Sequence, residues 1–231
     1  GYNQEKKRTD YYFGGRKDLI DSNNPAVNQA TGDMNINGNM GQWSVNGAFA
    51  RINYDYKGRY LVELNGRYDG SSKFKKGYRY QFFPSVSVAW RASEEKFFEI
   101  MKDWCDNLKL RASYGSLGNQ VVDGNFPYLA TYGINSKYGA ILGGTRPVAI
   151  TAPGLVSSSF TWETVNQIDL GIDATFLRNR LNFSFDWYRR NTKDMLVNGE
   201  VLPSVLGAGV PRQNAANLKT VGWEVSLEWN D

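Results

Sequence analysis

The side chains best placed for chemistry are two carboxylates on one strand parity, Asp169 and Asp173, a pairing that could in principle serve as the acid and base of a glycosidase. No recognisable cleft motif accompanies them, so hydrolysis is the weaker reading. The chain has no histidine and one cysteine, Cys105. That excludes Ser-His and Cys-His nucleophile pairs, the commonest metal ligand and any intrachain disulfide. The lone thiol reads as a small buried filler. Gly143-Gly144 and the stretch from Gly115 to Gly118 lack the lysine and helix that a phosphate loop needs. Neither bond-making catalysis nor a cofactor is expected.

What remains is binding. Asn119, Gln120, Asp123, Asn125, Tyr128, Tyr132, Asn135 and Tyr138 fall in one long Gly-, Ser- and Asn-rich stretch. Aromatic faces beside amides and carboxylates suit a ligand with apolar ring faces and polar edges, the chemistry of a sugar. The same residue types also shape turns and pack loops against themselves, so each has a structural reading as well. Lys+Arg 27 against Asp+Glu 23 leaves a net charge of +4, too balanced to indicate nucleic acid. Lys6-Lys7-Arg8 and Lys73, Lys75 and Lys76 read as solvated loops.

The elements that carry these residues are strands. Tyr60, Val62, Leu64, Gly66 and Tyr68 alternate with Leu61, Glu63, Asn65, Arg67 and Asp69, a period of two. Residues 50–56, 82–91, 108–114, 167–176, 181–188 and 223–229 behave alike, making roughly seven strands, most long enough for a tilted membrane strand. Lys57-Gly58-Arg59 and Leu177 to Arg180 are tight turns, whereas 70–80, 115–160 and 193–217 are long connections. Ser93 to about Asp103 reads as one short helix, with Ser93 as its cap, Glu94 and Glu95 at its positive end, and Phe97, Phe98 and Met101 as an apolar stripe.

Alternating short and long connections, with Tyr54, Tyr56, Tyr60, Phe176 and Trp229 near strand ends, is the pattern of an outer-membrane barrel and its aromatic girdles. A mean hydropathy of −0.51 does not oppose this, because apolar residues occupy only alternate strand positions. In this reading Asp169, Asp173, Asp186, Glu224 and Glu228 face a wet lumen and pair with Lys109, Arg111 and Arg67. A soluble β-sandwich, such as a carbohydrate-binding module, uses the same period and stays open on pattern alone.

The strings INYDYKGRYLVELNGRYDGSSKF (52–74), FFPSVSVAWR (82–91), LKLRASYGSLGNQ (108–120), WETVNQIDLGID (162–173) and DWYRRNTKDML (186–196) resemble, in order, the barrel region of SusC/RagA-type TonB-dependent importers of Bacteroidetes. GYNQEK at the start and NLKTVGWEVSLEW at the end resemble its flanks. The resemblance implies an all-β fold: a segment of an antiparallel transmembrane barrel of 22 strands, with long extracellular loops. It implies residence in the outer membrane, in contact with its lipid. It also implies a SusD-like surface lipoprotein as partner, energy from a TonB-ExbB-ExbD complex, and a glycan or, less often, a peptide as substrate. Siderophore or cobalamin import would share the barrel physics. The family's signal peptide, TonB box and plug are not recognisable in residues 1–231, so the chain is expected to be a fragment of the barrel domain.

Overall fold

The computed structural model describes residues 1–23, 25–135, 141–158 and 160–230. Its strands are β1 (Tyr2–Arg16), β2 (Met34–Tyr56), β3 (Tyr60–Ser71), β4 (Tyr80–Arg91), β5 (Cys105–Asn119), β6 (Gly133–Asn135), β7 (Ala149–Thr151), β8 (Glu163–Phe176), β9 (Leu181–Asn198) and β10 (Arg212–Trp229). Eight form one sheet in the order β1-β2-β3-β4-β5-β8-β9-β10, every pairing antiparallel. β6 and β7 pair separately as a small hairpin. Sequential antiparallel neighbours are what short turns permit, since parallel pairing would need a long crossover.

Register turns the period-two pattern into two faces. Tyr54, Val62, Val88, Ala112, Leu170, Trp187 and Trp223 are in-register partners from β2 through to β10. One residue away lies the row Asn53, Glu63, Ser87, Ser113, Asp169 and Tyr188. A register slip of one residue would place polar side chains in the apolar row, so the pattern itself fixes the pairing. The apolar face is uncovered: Leu64 is 45% exposed, Leu170 49% and Leu227 66%. Apart from the small Ala174, the buried apolar side chains come from elsewhere in the chain, which removes the sandwich reading. Arg189 interrupts the apolar parity on β9, beside Val221, and its long stem can carry the guanidinium to an interface.

Four expectations need correction. The sheet has eight strands, not seven, because β1, which pairs with the first half of β2, carries no sequence alternation. β1 is exposed along almost its whole length, so neither face selects apolar residues, and Lys6, Lys7 and Arg8 sit in this strand, not in a loop. β5, β9 and β10 also run further than their alternation, which shortens the long connections to 72–79, 120–162 and 199–211. The single helix is replaced by two 3-10 turns, Ala92–Glu94 and Lys96–Met101, separated by Glu95 in an extended conformation.

Tertiary partners account for that break. The Ser93 hydroxyl donates to Asn107 Oδ1 at 2.9 Å in place of capping a helix. The Glu95 carboxylate accepts from the Tyr60 hydroxyl at 2.6 Å and pairs with Arg59 at 3.3 Å, tying the connection to the neighbouring tight turn. Of the expected stripe, Phe98 is buried while Phe97 is 58% exposed. The Tyr60 hydroxyl, with the Trp90 indole and Arg59 also contributing, holds the Glu95 carboxyl below the ordinary glutamate value of 4.5, against the opposing effect of burial. A carboxyl lowered on folding adds stability above its unfolded pKa and loses it as pH falls through the folded one. The assembled protein is therefore expected to lose stability on acidification below about pH 4.5, and Glu95→Gln to remove part of that loss. Melting in detergent from pH 7 to 3 measures it; identical pH profiles for both proteins would count against the contact.

Candidate functional site

The tight turns and the long connections leave opposite ends of the sheet. Residues 57–59, the 3-10 connection 92–104 and residues 177–180 lie at one end. There Lys57 and Gly58, then Leu177, Arg178 and Asn179, take positive φ to reverse the chain within a few residues. The second turn is held by the Asn179 N–H on Asp106 Oδ2 at 2.9 Å. Aromatic rings collect at this end, with Tyr56 beside Tyr60 at 6.4 Å and Trp104 stacked on Phe176 at 5.8 Å. Residues 17–33, 72–79, 120–162 and 199–211 emerge at the other end and form the mouth.

Several charges of the polar face pair with one another. Arg111 meets Asp173 with two bonds of 2.8 Å and reaches Asp186 at 3.0 Å, while Lys109 lies 4.0 Å from Asp173. Asp169 accepts from the Ser113 hydroxyl at 3.0 Å and from the Gln167 amide at 2.6 Å. Arg51 pairs with Glu63 at 3.8 Å. Arg67 pairs with Asp69 on its own strand, not with the distant carboxylates. Glu224 and Glu228 make no ion pair among the described residues. The outcome is a wall with a shallow groove of about 450 Å³ bounded by Glu63, Ser87, Arg111, Ser113 and Asp169. Asp169 and Asp173 are thus part of a hydrogen-bonded lining. Among the described residues no group of His, Cys, Asp or Glu could hold a metal.

The candidate binding residues divide between root and tip of the 120–162 connection. Asn119 ends β5, its amide donating to Glu163 at 3.4 Å and its oxygen accepting from the Val121 N–H at 2.9 Å, so it shapes the turn. Gln120 holds a buried Oε1 with no hydrogen-bond partner among the described residues. Asp123 pairs with Arg212 at 2.7 Å yet stays 85% exposed. Asn125 reaches across to β2, where its nitrogen would lie 3.0 Å from a Cβ at Gly41. Tyr128 packs edge-on against Phe126 at 6.3 Å, and Tyr132 is 70% exposed. Asn135 closes β6, and Tyr138 lies outside the described residues. Asp123 alone of these joins Pro127, Leu155, Phe160, Leu196 and Arg212 around a crevice of about 80 Å³. Arg212 escaped the sequence reading because a basic residue in a glycine-rich stretch carries no signal of its partner.

Comparison with known proteins gives one consistent result. The family described as TonB dependent receptor-like, beta-barrel, matches residues 1–230. TonB-dependent receptor P26 of Formosa agariphila is 34% identical over 93% of this chain, and SusC of Bacteroides thetaiotaomicron is 32% identical over 78%. These matches cover 21% and 18% of the relatives, so the chain spans about a fifth of their length. Among solved structures, the RagAB peptide importer superposes with a TM-score of 0.76 at 23% identity, covering 98% of this chain and 25% of that one. The siderophore receptor PirA of Pseudomonas aeruginosa reaches 0.52 at 14% identity, covering 81% and 31%.

Proposed function

Since this chain belongs to the TonB-dependent receptor β-barrel family of the outer membrane, we propose that it forms part of the wall and mouth of a nutrient importer, whose substrate is an oligosaccharide. The observation that carries this reading is the two-faced sheet: an apolar face left bare from β2 to β10 and a polar face that carries ion pairs such as Arg111–Asp173 within the wall. Hydrocarbon satisfies the first and a watery passage the second. At the mouth, the loop 120–162 carries the exposed Tyr132 and Asp123, the latter paired with Arg212 at the start of β10, aromatic and polar groups of the kinds suited to sugar rings. The likeness to SusC in sequence supports the same class.

A peptide is the second reading, favoured by the fold likeness to the RagAB peptide importer. In both, the work is selective capture outside followed by a conformational step powered by the TonB-ExbB-ExbD complex, with a SusD-like surface lipoprotein as partner at the mouth. The barrel segment makes and breaks no bonds. Deleting the whole gene and comparing growth on single polysaccharides, on peptides and under limiting iron tests this. Loss of growth on one polysaccharide is the expected result. A defect confined to peptides would move the assignment to the second reading, and a defect confined to iron limitation would reject both.

A further inference from the structure

The four most deeply packed aromatic rings of the mouth lie at the upper end of β4, on its polar-face side, where pairing with β5 has stopped at Ser85 and Gly115. Phe74 is 0% exposed, Phe83 5%, Phe160 4% and Trp162 4%. Phe83 belongs to β4, Phe74 to the 72–79 connection, and Phe160 and Trp162 to the last residues of the 120–162 connection. Trp162 packs 4.7 Å from Phe74 and 5.6 Å from Phe83, and its indole N–H donates to the Tyr78 carbonyl at 3.0 Å. Gly118 of β5 faces the same Phe83 ring, which a Cβ there would overlap.

A second clamp reaches the same segment from the other side of the mouth. The Asn214 carboxamide of β10 accepts from the Thr161 N–H at 3.0 Å and donates to the Thr161 carbonyl at 2.9 Å, satisfying a loop backbone as a neighbouring strand would. The same amide nitrogen donates to the Asp194 carbonyl of β9 at 2.6 Å. Asn214 stands at a register shift of β9 and β10. Lys75 adds a bond of 2.6 Å to the Ser158 carbonyl. In the outer hairpin of the same connection, Ile134 is 77% and Ile150 70% exposed.

We propose that Trp162 and Asn214 are positioning residues that strap the root of the 120–162 connection to both β4 and β10, and thereby fix the crevice of Asp123 and Arg212 for ligand. The inference rests on the import function proposed above and identifies what orders its binding surface. A loop held in its bound shape has less entropy to lose on capture, so cutting either tie weakens binding without touching the ligand.

The test uses the full-length protein in lipid, with a spin label at Val156→Cys in the crevice wall and, separately, at Lys57→Cys in the tight turn. The chain's own thiol, Cys105, is buried. Asn214→Ala, and Trp162→Phe, which keeps an aromatic ring but loses the N–H and part of the packed indole, are expected to raise label mobility at position 156 and leave position 57 unchanged. The KM for uptake of the growth-supporting oligosaccharide is expected to rise roughly tenfold at unchanged barrel content. Unchanged mobility at 156, or a rise at both positions, would overturn the strap. A rise at 156 with unaltered KM would overturn the positioning role. If the parent protein takes up no polysaccharide or peptide, the import reading fails while the label still decides whether the strap exists.

Discussion

Leu170→Arg is expected to destabilise the assembled barrel by about 2–4 kcal/mol, the penalty for a cation on a lipid-facing strand near the bilayer midplane. Leu170 stands near the middle of β8, flanked in register by Ala112 and Trp187, and is 49% exposed. The guanidinium must either leave water or pull water and headgroups inward. Ser87→Lys on the opposite face gives the contrast. Ser87 pairs across to Glu63 and Ser113, so a new ammonium meets a carboxylate and solvent, and the change is expected to stay within about 0.5 kcal/mol. Urea unfolding of the full-length protein from lipid vesicles measures both. Equal losses, or a larger loss for Ser87→Lys, would mean the two faces have been assigned to the wrong solvents.

The second large effect concerns residues 1–231 expressed alone in water. β1 and β10 are the sheet's outer strands, each pairing on one side only, and each offers a row of unpaired N–H and C=O groups to another chain. The apolar rows add a wide uncovered surface, far beyond the few hundred Å² that monomeric soluble proteins tolerate. Eight strands in a strictly sequential sheet cannot close a barrel of the proposed width. The separated segment is expected to aggregate and to show no cooperative melting without detergent. Sedimentation and thermal scans check this, and a monomer with a sharp transition would sink the membrane-wall reading.

Legibility in the sequence followed the solvents. From residue 50 to 91 and from 167 to 188, each strand meets hydrocarbon on one side and water on the other, so chemistry alternates and the strands can be read directly. β1 is exposed on both sides, and Glu5, Lys6, Lys7 and Arg8 succeed one another with no period. Its strand conformation comes from the ladder with β2, Tyr2 opposite Ala48 through to Arg16 opposite Met34, which no local pattern announces. The 92–104 connection failed for a related reason. Ser93 and Glu94-Glu95 spell a helix start, but Asn107, Tyr60 and Arg59 compete for Ser93 and Glu95 and win.

By itself the sequence determined that there would be strands, which side of each would be greasy, where the chain would turn tightly, and which chemistries were out of reach. Those properties depend on residue type and on neighbours a few positions away. Tertiary structure alone decided that Asp173 and Asp186 share Arg111, that Asp123 meets Arg212, and that Asn214 grips Thr161 from 53 residues away. A polar side chain advertises its need for a partner but not the partner's address, and only the register of distant strands supplies that.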